Sequence, residues 1–206
     1  LLVGILCGAV NGLIITLTHA NSGESLMITF GTQLLFSAVS LLYTGGFSLS
    51  GSESDFYNAL GTGSIGKWLP VPVLIYIVFA VLLWVLESKT FFGRQMHMIG
   101  FNPVCSHLSG VRTGLVKMVC YCISGFCAAA GAIILTSRTL GATPTAGVGY
   151  EMDAIVAAVL GGISLSGGLG SIAKAFVGVI TLSVLSNAMN LFGFQSFDQS
   201  IVKGCV

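Results

Sequence analysis

Two apolar runs of this chain meet across Gly161-Gly162-Ile163-Ser164-Leu165-Ser166-Gly167-Gly168-Leu169-Gly170, with five glycines in ten positions. The first run, Ala154 to Leu160, is too short to cross a bilayer, since a crossing takes about 20 helical residues rising roughly 1.5 Å each. Glycine removes side chain and stiffness where a continuous helix would have to run. Interrupted helices at membrane depth persist only when buried in protein or lining a watery cavity. In transporters such breaks point to the substrate pathway. The stretch therefore predicts an all-α fold: a polytopic transmembrane helical bundle with a broken or re-entrant helix, and transport as the first functional reading.

Such a bundle needs a surface that lipid accepts. Hydrophobic residues are 54% of the 206 and charged residues 7%, with a mean hydropathy of +0.96. A soluble domain carries about 25% charged residues, so this surface belongs in lipid. The net charge of +1 argues against nucleic acid as a partner, because phosphate binding needs a basic patch. Leu1 and Val206 lie inside apolar runs and no signal peptide is visible, so a fragment is expected. It would be one transmembrane domain over residues 1–206, incomplete at both ends. Cys7, Cys105, Cys120, Cys122, Cys127 and Cys205 sit mostly in apolar stretches and read as small hydrophobes, not as a disulfide framework. His97, Cys105 and His107 lack C-x-x-C or H-E-x-x-H spacing, and neither metal nor other cofactor is expected.

A first helix is predicted from Leu1 to Leu17, with Gly4, Gly8 and Gly12 at the four-residue spacing that lets helix backbones approach closely in lipid. Asn11, on an adjacent face, is expected to bond a neighbouring helix. After a polar turn from His19 to Ser25, a second helix runs from Leu26 to Tyr43. Its Thr29, Gln33, Ser37 and Ser40 fall within about an 80° arc. That arc reads either as interhelical hydrogen bonding or as one wall of a hydrophilic path. A Gly/Ser-rich loop from Thr44 to Lys67 carries Glu53 and Asp55. Pro70 and Pro72 then suit the start of a third helix, running to about Leu86.

Lys89, Arg94, Arg112 and Lys117 gather in the next connection, which the positive-inside rule places in the cytoplasm. A fourth helix from about Leu115 to Leu135 offers Ser124, Ala128 and Ala132 as a small-residue face. The segment from Arg138 to Asp153 returns to the outside, with Glu151 and Asp153 near the start of the broken helix. Lys174, just past the glycines, is consistent with a break facing the cytoplasm. The last full helix runs from Ser171 to Leu191. Its Ser183, Ser186, Asn187 and Asn190 share about a 100° arc, which is costly in lipid unless partners or water meet it. Phe192 to Gln199 is expected as an outer turn, with a further helix from Ser200.

These stretches carry a family resemblance. Thr90-Phe91-Phe92-Gly93-Arg94-Gln95-Met96-His97-Met98-Ile99-Gly100-Phe101-Asn102-Pro103, ending Leu108-Ser109-Gly110-Val111, resembles the coupling loop of a permease family. These permeases serve bacterial ATP-driven carbohydrate importers of the ribose, arabinose and galactoside type. Pro144 to Ile155, Gly161 to Ser171 and the run Leu185-Ser186-Asn187-Ala188-Met189-Asn190-Leu191 look like the same family. Cys105-Ser106 departs from its paired alanine, and Phe101 from its second glycine.

The resemblance implies a multi-pass protein of the bacterial inner membrane, paired with a second permease copy, homodimeric or heterodimeric. Two ATP-binding cassette subunits would drive it, and an extracytoplasmic solute-binding protein would deliver the solute. It makes Gly93, Arg94, Gly100, Asn102, Pro103, Ser109 and Gly110 the ATPase-coupling residues, with Gly93-Arg94 ending one helix and Asn102-Pro103 starting a short one. No G-x-x-x-x-G-K-[ST] is present, so the phosphate-cradling chemistry is expected in a partner chain.

Gln33, Ser37, Glu151, Asp153, Ser183, Asn187 and Asn190 are the candidate pathway residues. The helix stripes among them offer amides and hydroxyls without charge, which favours a neutral hydroxylated solute such as a monosaccharide over a zwitterion. A permease for branched-chain amino acids or another small solute is the alternative. An intramembrane enzyme is the remote one, since no His lies in a predicted helix core and the acids sit at a membrane boundary.

Overall fold

The computed structural model of the chain describes residues 1–18, 20, 22–50, 61–65 and 69–205. In chain order the described elements are α1 (Leu2–Leu17), α2 (Ser22–Thr44), β1 (Leu49–Ser50), β2 (Ser64–Ile65), β3 (Leu69–Pro70), α3 (Val71–Lys89), α4 (Phe91–Phe101), α5 (Pro103–Leu108), α6 (Thr113–Thr139), β4 (Gly141–Ala142), α7 (Tyr150–Leu160), α8 (Ile172–Leu191) and α9 (Ser196–Cys205). The fold is all-α and polytopic. Among the described residues, α2, α3, α6 and α8 are long and apolar enough to cross a membrane. Their outward side chains, such as Leu34, Leu42, Leu82, Val177 and Val184, are more than half exposed, as a lipid-facing surface requires. The chain is a multi-pass membrane protein.

Two compact units form. The first comprises Leu1–Phe79 and Pro103–Ala146, the second Ala80–Asn102 and Gly147–Val206.

The core of the first unit is the seam between α1 and α6. A Cβ added at Gly8 would run into the carbonyl oxygen of Tyr121, and one at Gly12 would lie 3.0 Å from the Cα of Met118. Gly125 answers from α6, where a Cβ would strike the Gly4 carbonyl. The backbones touch because neither helix carries a side chain at these points. Thr16 joins the seam by donating to Gly114 O at 3.3 Å, and the Lys117 ammonium donates to Ala20 O at 3.3 Å. The small-residue face expected on α6 is one position off. Ser124, Ala128 and Ala132 are exposed, while Tyr121, Cys122, Gly125 and Ala129 meet α1. The amide oxygen of Asn11 is buried without a hydrogen-bond partner among the described residues, contrary to the expected interhelical bond.

The long connection after α2 is not structureless. Leu49 pairs with Ala142 and Ser50 with Gly141 in one antiparallel ladder, and Ser64 pairs with Pro70 and Ile65 with Leu69 in another. Glu53, Asp55 and Lys67 lie outside the described residues. Pro72 occupies the second position of α3, where its missing N–H costs nothing, and the helix continues to Lys89.

In the second unit α7 and α8 pack side by side. A Cβ at Gly178 would enter the carbonyl of Ala157, and one at Gly161 the carbonyl of Lys174. The eleven residues of α7 reach about 16 Å, roughly half the hydrocarbon thickness. The expected break is present between Leu160 and Ile172, with Gly162, Gly167 and Gly168 at positive φ. It closes on itself: Ile163 N donates to Ala158 O at 3.0 Å, Ser164 N to Leu169 O at 2.9 Å and Gly167 N to Ser164 O at 3.1 Å. Ser171 caps α8 by accepting from Lys174 N at 3.3 Å. The turn after α8 is shorter than expected, because α9 begins at Ser196 and not at Ser200. Asp198 in its first turn accepts from Gln195 N at 3.1 Å and fixes that start.

Candidate functional site

The expected pathway residues divide between the units, and each group has its own chemistry. On α2 of the first unit, Gln33 is exposed and Ser37 half-buried. Their neighbours Thr29 and Thr32 spend their hydroxyls on their own helix, donating to Leu26 O at 2.9 Å and Thr29 O at 3.0 Å. Thr29 thereby leaves the interhelical role open to it in the sequence.

On α8 of the second unit, Ser183, Asn187 and Asn190 are exposed and Ser186 is half-buried. Asn190 Oδ1 accepts from Gln199 Nε2 of α9 at 2.8 Å. Asp153 on α7 accepts from Lys203 Nζ through both oxygens at 2.9 Å. Glu151 turns back on its own helix start, its Oε2 accepting from Gly149 N at 3.0 Å. α9 thus reaches two expected pathway residues, Asp153 and Asn190, which lie on different helices. Glu151 lies in the first turn of α7, where an acid suits the positive end of the helix dipole.

The expected coupling residues also fall in both units. Within the second, α4 runs through the point where the sequence implies a helix end. Thr90 caps it, accepting from Gly93 N at 3.3 Å, so Gly93-Arg94 lies in its first turn and does not end a helix. A Cβ at Gly93 would collide with the carbonyl of Glu87, which is what the glycine accommodates. Arg94 is exposed, with its guanidinium 5.8 Å from the centre of the exposed Phe91 ring. Gly100, near the far end of α4, faces the break: a Cβ there would lie 2.6 Å from Gly168 N. Asn102 ends α4 in an extended conformation, its N–H donating to Met98 O at 3.1 Å. Pro103 opens α5 as expected. In the first unit, Ser109 Oγ donates to Cys105 O at 2.9 Å and Gly110 adopts φ 82°, which closes α5.

Glu87 was not among the expected residues. Its carboxylate oxygens are divided, Oε1 against His97 Nε2 at 3.2 Å and Oε2 accepting from Ile172 N at 2.7 Å. A cleft of about 250 Å³ opens here, lined by Glu87, Met96, His97, Ile163, Ser164 and Ser171 among others. The only signal in the sequence was an isolated acid at the head of a basic segment, which does not reveal a partner 85 residues away.

Comparison with known proteins identifies the family. Over 197 residues the chain is 40% identical to the ribose import permease protein of Bacillus subtilis (strain 168), covering 95% of this chain and 60% of that protein. It is 32% identical to the D-allose transport system permease protein of Escherichia coli (strain K12), covering 98% of this chain and 61% of the other. The galactose/methyl galactoside import permease protein of the same strain is 34% identical, with 99% and 61% covered. The chain thus spans about three fifths of the length of these curated relatives, which are named as transport permeases and not as enzymes. No solved structure matches it. Residues 1–206 match the profile described as branched-chain amino acid transport system / permease component, and the chain belongs to that family.

Proposed function

We propose that the chain is the membrane-embedded part of a permease subunit through which an ATP-driven importer moves a monosaccharide or a similar small polar solute. The observation that carries this is the open polar stripe of α8. Ser183 and Asn187 stand exposed on a helix apolar enough to span a membrane, just where lipid contact would be penalised. Amides and hydroxyls offer donors and acceptors to a sugar without a deep binding well. The names of the relatives support a sugar. The family description keeps branched-chain amino acids as the second reading.

In this reading all 206 residues belong to one transmembrane permease domain in the bacterial inner membrane. A second permease copy completes the path, an extracytoplasmic solute-binding protein delivers the solute, and ATP-binding cassette subunits hydrolyse ATP. Gln33, Ser37, Asp153, Ser183, Asn187 and Asn190 border the path. Glu151 fixes the start of α7 beside it. Arg94 and Asn102 in the second unit, and Pro103 and Ser109 in the first, each meet the ATPase from the cytoplasm. Gly93, Gly100 and Gly110 give α4 and α5 their close contacts and turns. Gly100 against Gly168 brings the break to the end of the second unit where α4 lies, which supports a cytoplasm-facing break.

The test is uptake by the assembled system, built from the full-length permease with its ATPase and binding protein in lipid vesicles. Labelled pentoses, hexoses and branched-chain amino acids are offered separately. ATP-dependent accumulation of an aldose but not of leucine or valine is the expected outcome. Accumulation of the amino acids alone would establish the second reading.

A further inference from the structure

Glu87 occupies an expensive position. It lies in the last turn of α3, where the helix dipole disfavours an acid, and its side chain is only 11% exposed. A buried carboxylate persists only with strong partners, and these come from two other helices. Ile172 N, at the first position of α8, donates at 2.7 Å to one oxygen, and His97 Nε2 of α4 contacts the other at 3.2 Å. The N-terminal end of α8 is the favourable end for a negative charge, which offsets the misfit at the end of α3.

The same joint has no slack. The carbonyl of Glu87 fills the space that a Cβ of Gly93 would need, and Gly100 touches the backbone of Gly168. Flexible side chains could absorb a small displacement of α4, but backbone-to-backbone contacts cannot. α4 is therefore tied to the break at two points: through Glu87 to the first turn of α8, and through Gly100 to Gly167-Gly168 within the break.

We infer that Glu87 is a positioning residue that transmits displacement of α4 to the N-terminus of α8, and so sets the geometry of the break when a partner ATPase moves α4. This rests on the reading of α4 as the ATPase-facing helix and adds the route by which that movement reaches the solute path. A two-state element biased from α4 needs contacts that differ between its states, and the divided carboxylate is assigned that role.

The experiment uses the full-length permease assembled with its ATPase and binding protein in lipid, as wild type, Glu87→Ala and His97→Ala. The second variant keeps the carboxylate on Ile172 and cuts only its side-chain link to α4, leaving the backbone contacts of Gly93 and Gly100. Two quantities are read: solute taken up per ATP hydrolysed, and hydrogen exchange of the amides of residues 172–175 with and without the ATPase bound. Uptake per ATP is expected to fall about fivefold or more in both variants at unchanged assembly. ATPase binding is expected to alter exchange at Ile172 in the wild type and not in the variants.

Wild-type uptake per ATP in both variants would overturn the inference. So would a loss of uptake that only follows the amount of assembled complex, which marks a static brace. If the wild type moves no solute at the expense of ATP, the transport reading falls. The exchange measurement then decides the bridge alone, and a response to the ATPase that persists in Glu87→Ala overturns it.

Discussion

Asp153 and Lys203 hold each other across fifty residues of chain, with side chains 38% and 21% exposed. An acid on a membrane helix needs such a partner, because the lone charge is penalised wherever water is scarce. Lys203→Met is therefore expected to lower the thermal midpoint of the detergent-solubilised full-length permease by several degrees. Adding Asp153→Asn to that variant should recover most of the loss, since the unpaired charge is then gone. A double variant as unstable as the two single losses combined would show that the charges do not act as a pair. Nothing in the local sequence joins these residues. Asp153 was legible as an acid at the entrance of the broken helix, but its lysine lies in a segment whose start the sequence misplaced by four positions. Asn187 differs from Asn190 on the same stripe. Both are exposed, but Asn190 is engaged by Gln199, so Asn187 is the cleaner probe of the path.

At the level of elements, the α1–α6 seam and the break are governed by what glycine leaves out. Gly8→Ala would place a methyl group in the Tyr121 carbonyl, and an overpacked site of this kind costs about 1–3 kcal/mol. Gly131, also on α6, has nothing near its added Cβ, so Gly131→Ala is expected to be neutral or to stabilise by up to about 1 kcal/mol. Unfolding of both variants in mixed micelles separates the cases, and equal effects would contradict the seam. The four-residue spacing of Gly4, Gly8 and Gly12 announced this contact, because it is periodic and helix geometry is regular. The partner face on α6 was missed by one position, since Ser124-Ala128-Ala132 and Gly125-Ala129 are equally small and only packing chooses between them. The break was legible for the same reason as the seam: five glycines in ten residues leave no other reading. Its internal hydrogen bonds were not legible, as they depend on the turn that Gly167 and Gly168 adopt at positive φ. Gly93-Arg94 does not end a helix as expected, because Thr90 caps a new one there and the glycine answers the close approach of the Glu87 carbonyl.

For the molecule as a whole, the account rests on sidedness and on a solute path. In the proposed reading the basic residues Lys89, Arg94, Arg112 and Lys117 put the segment from 89 to 117 in the cytoplasm. Cys105 on α5 is exposed, so in a variant retaining only this cysteine an impermeant thiol reagent should label inside-out vesicles and leave intact cells unlabelled. Labelling from outside would reverse the orientation and remove α4 from reach of an ATPase. The central claim is that the polar stripe of α8 borders the route of the solute. It is tested most directly by Asn187→Leu in the assembled transporter, with solute uptake and ATP hydrolysis followed together and the amount of assembled complex measured. The account predicts that uptake per ATP falls about tenfold, a penalty of roughly 1.4 kcal/mol on passage, with insertion and assembly as in the wild type. Wild-type uptake with leucine at position 187 would contradict it.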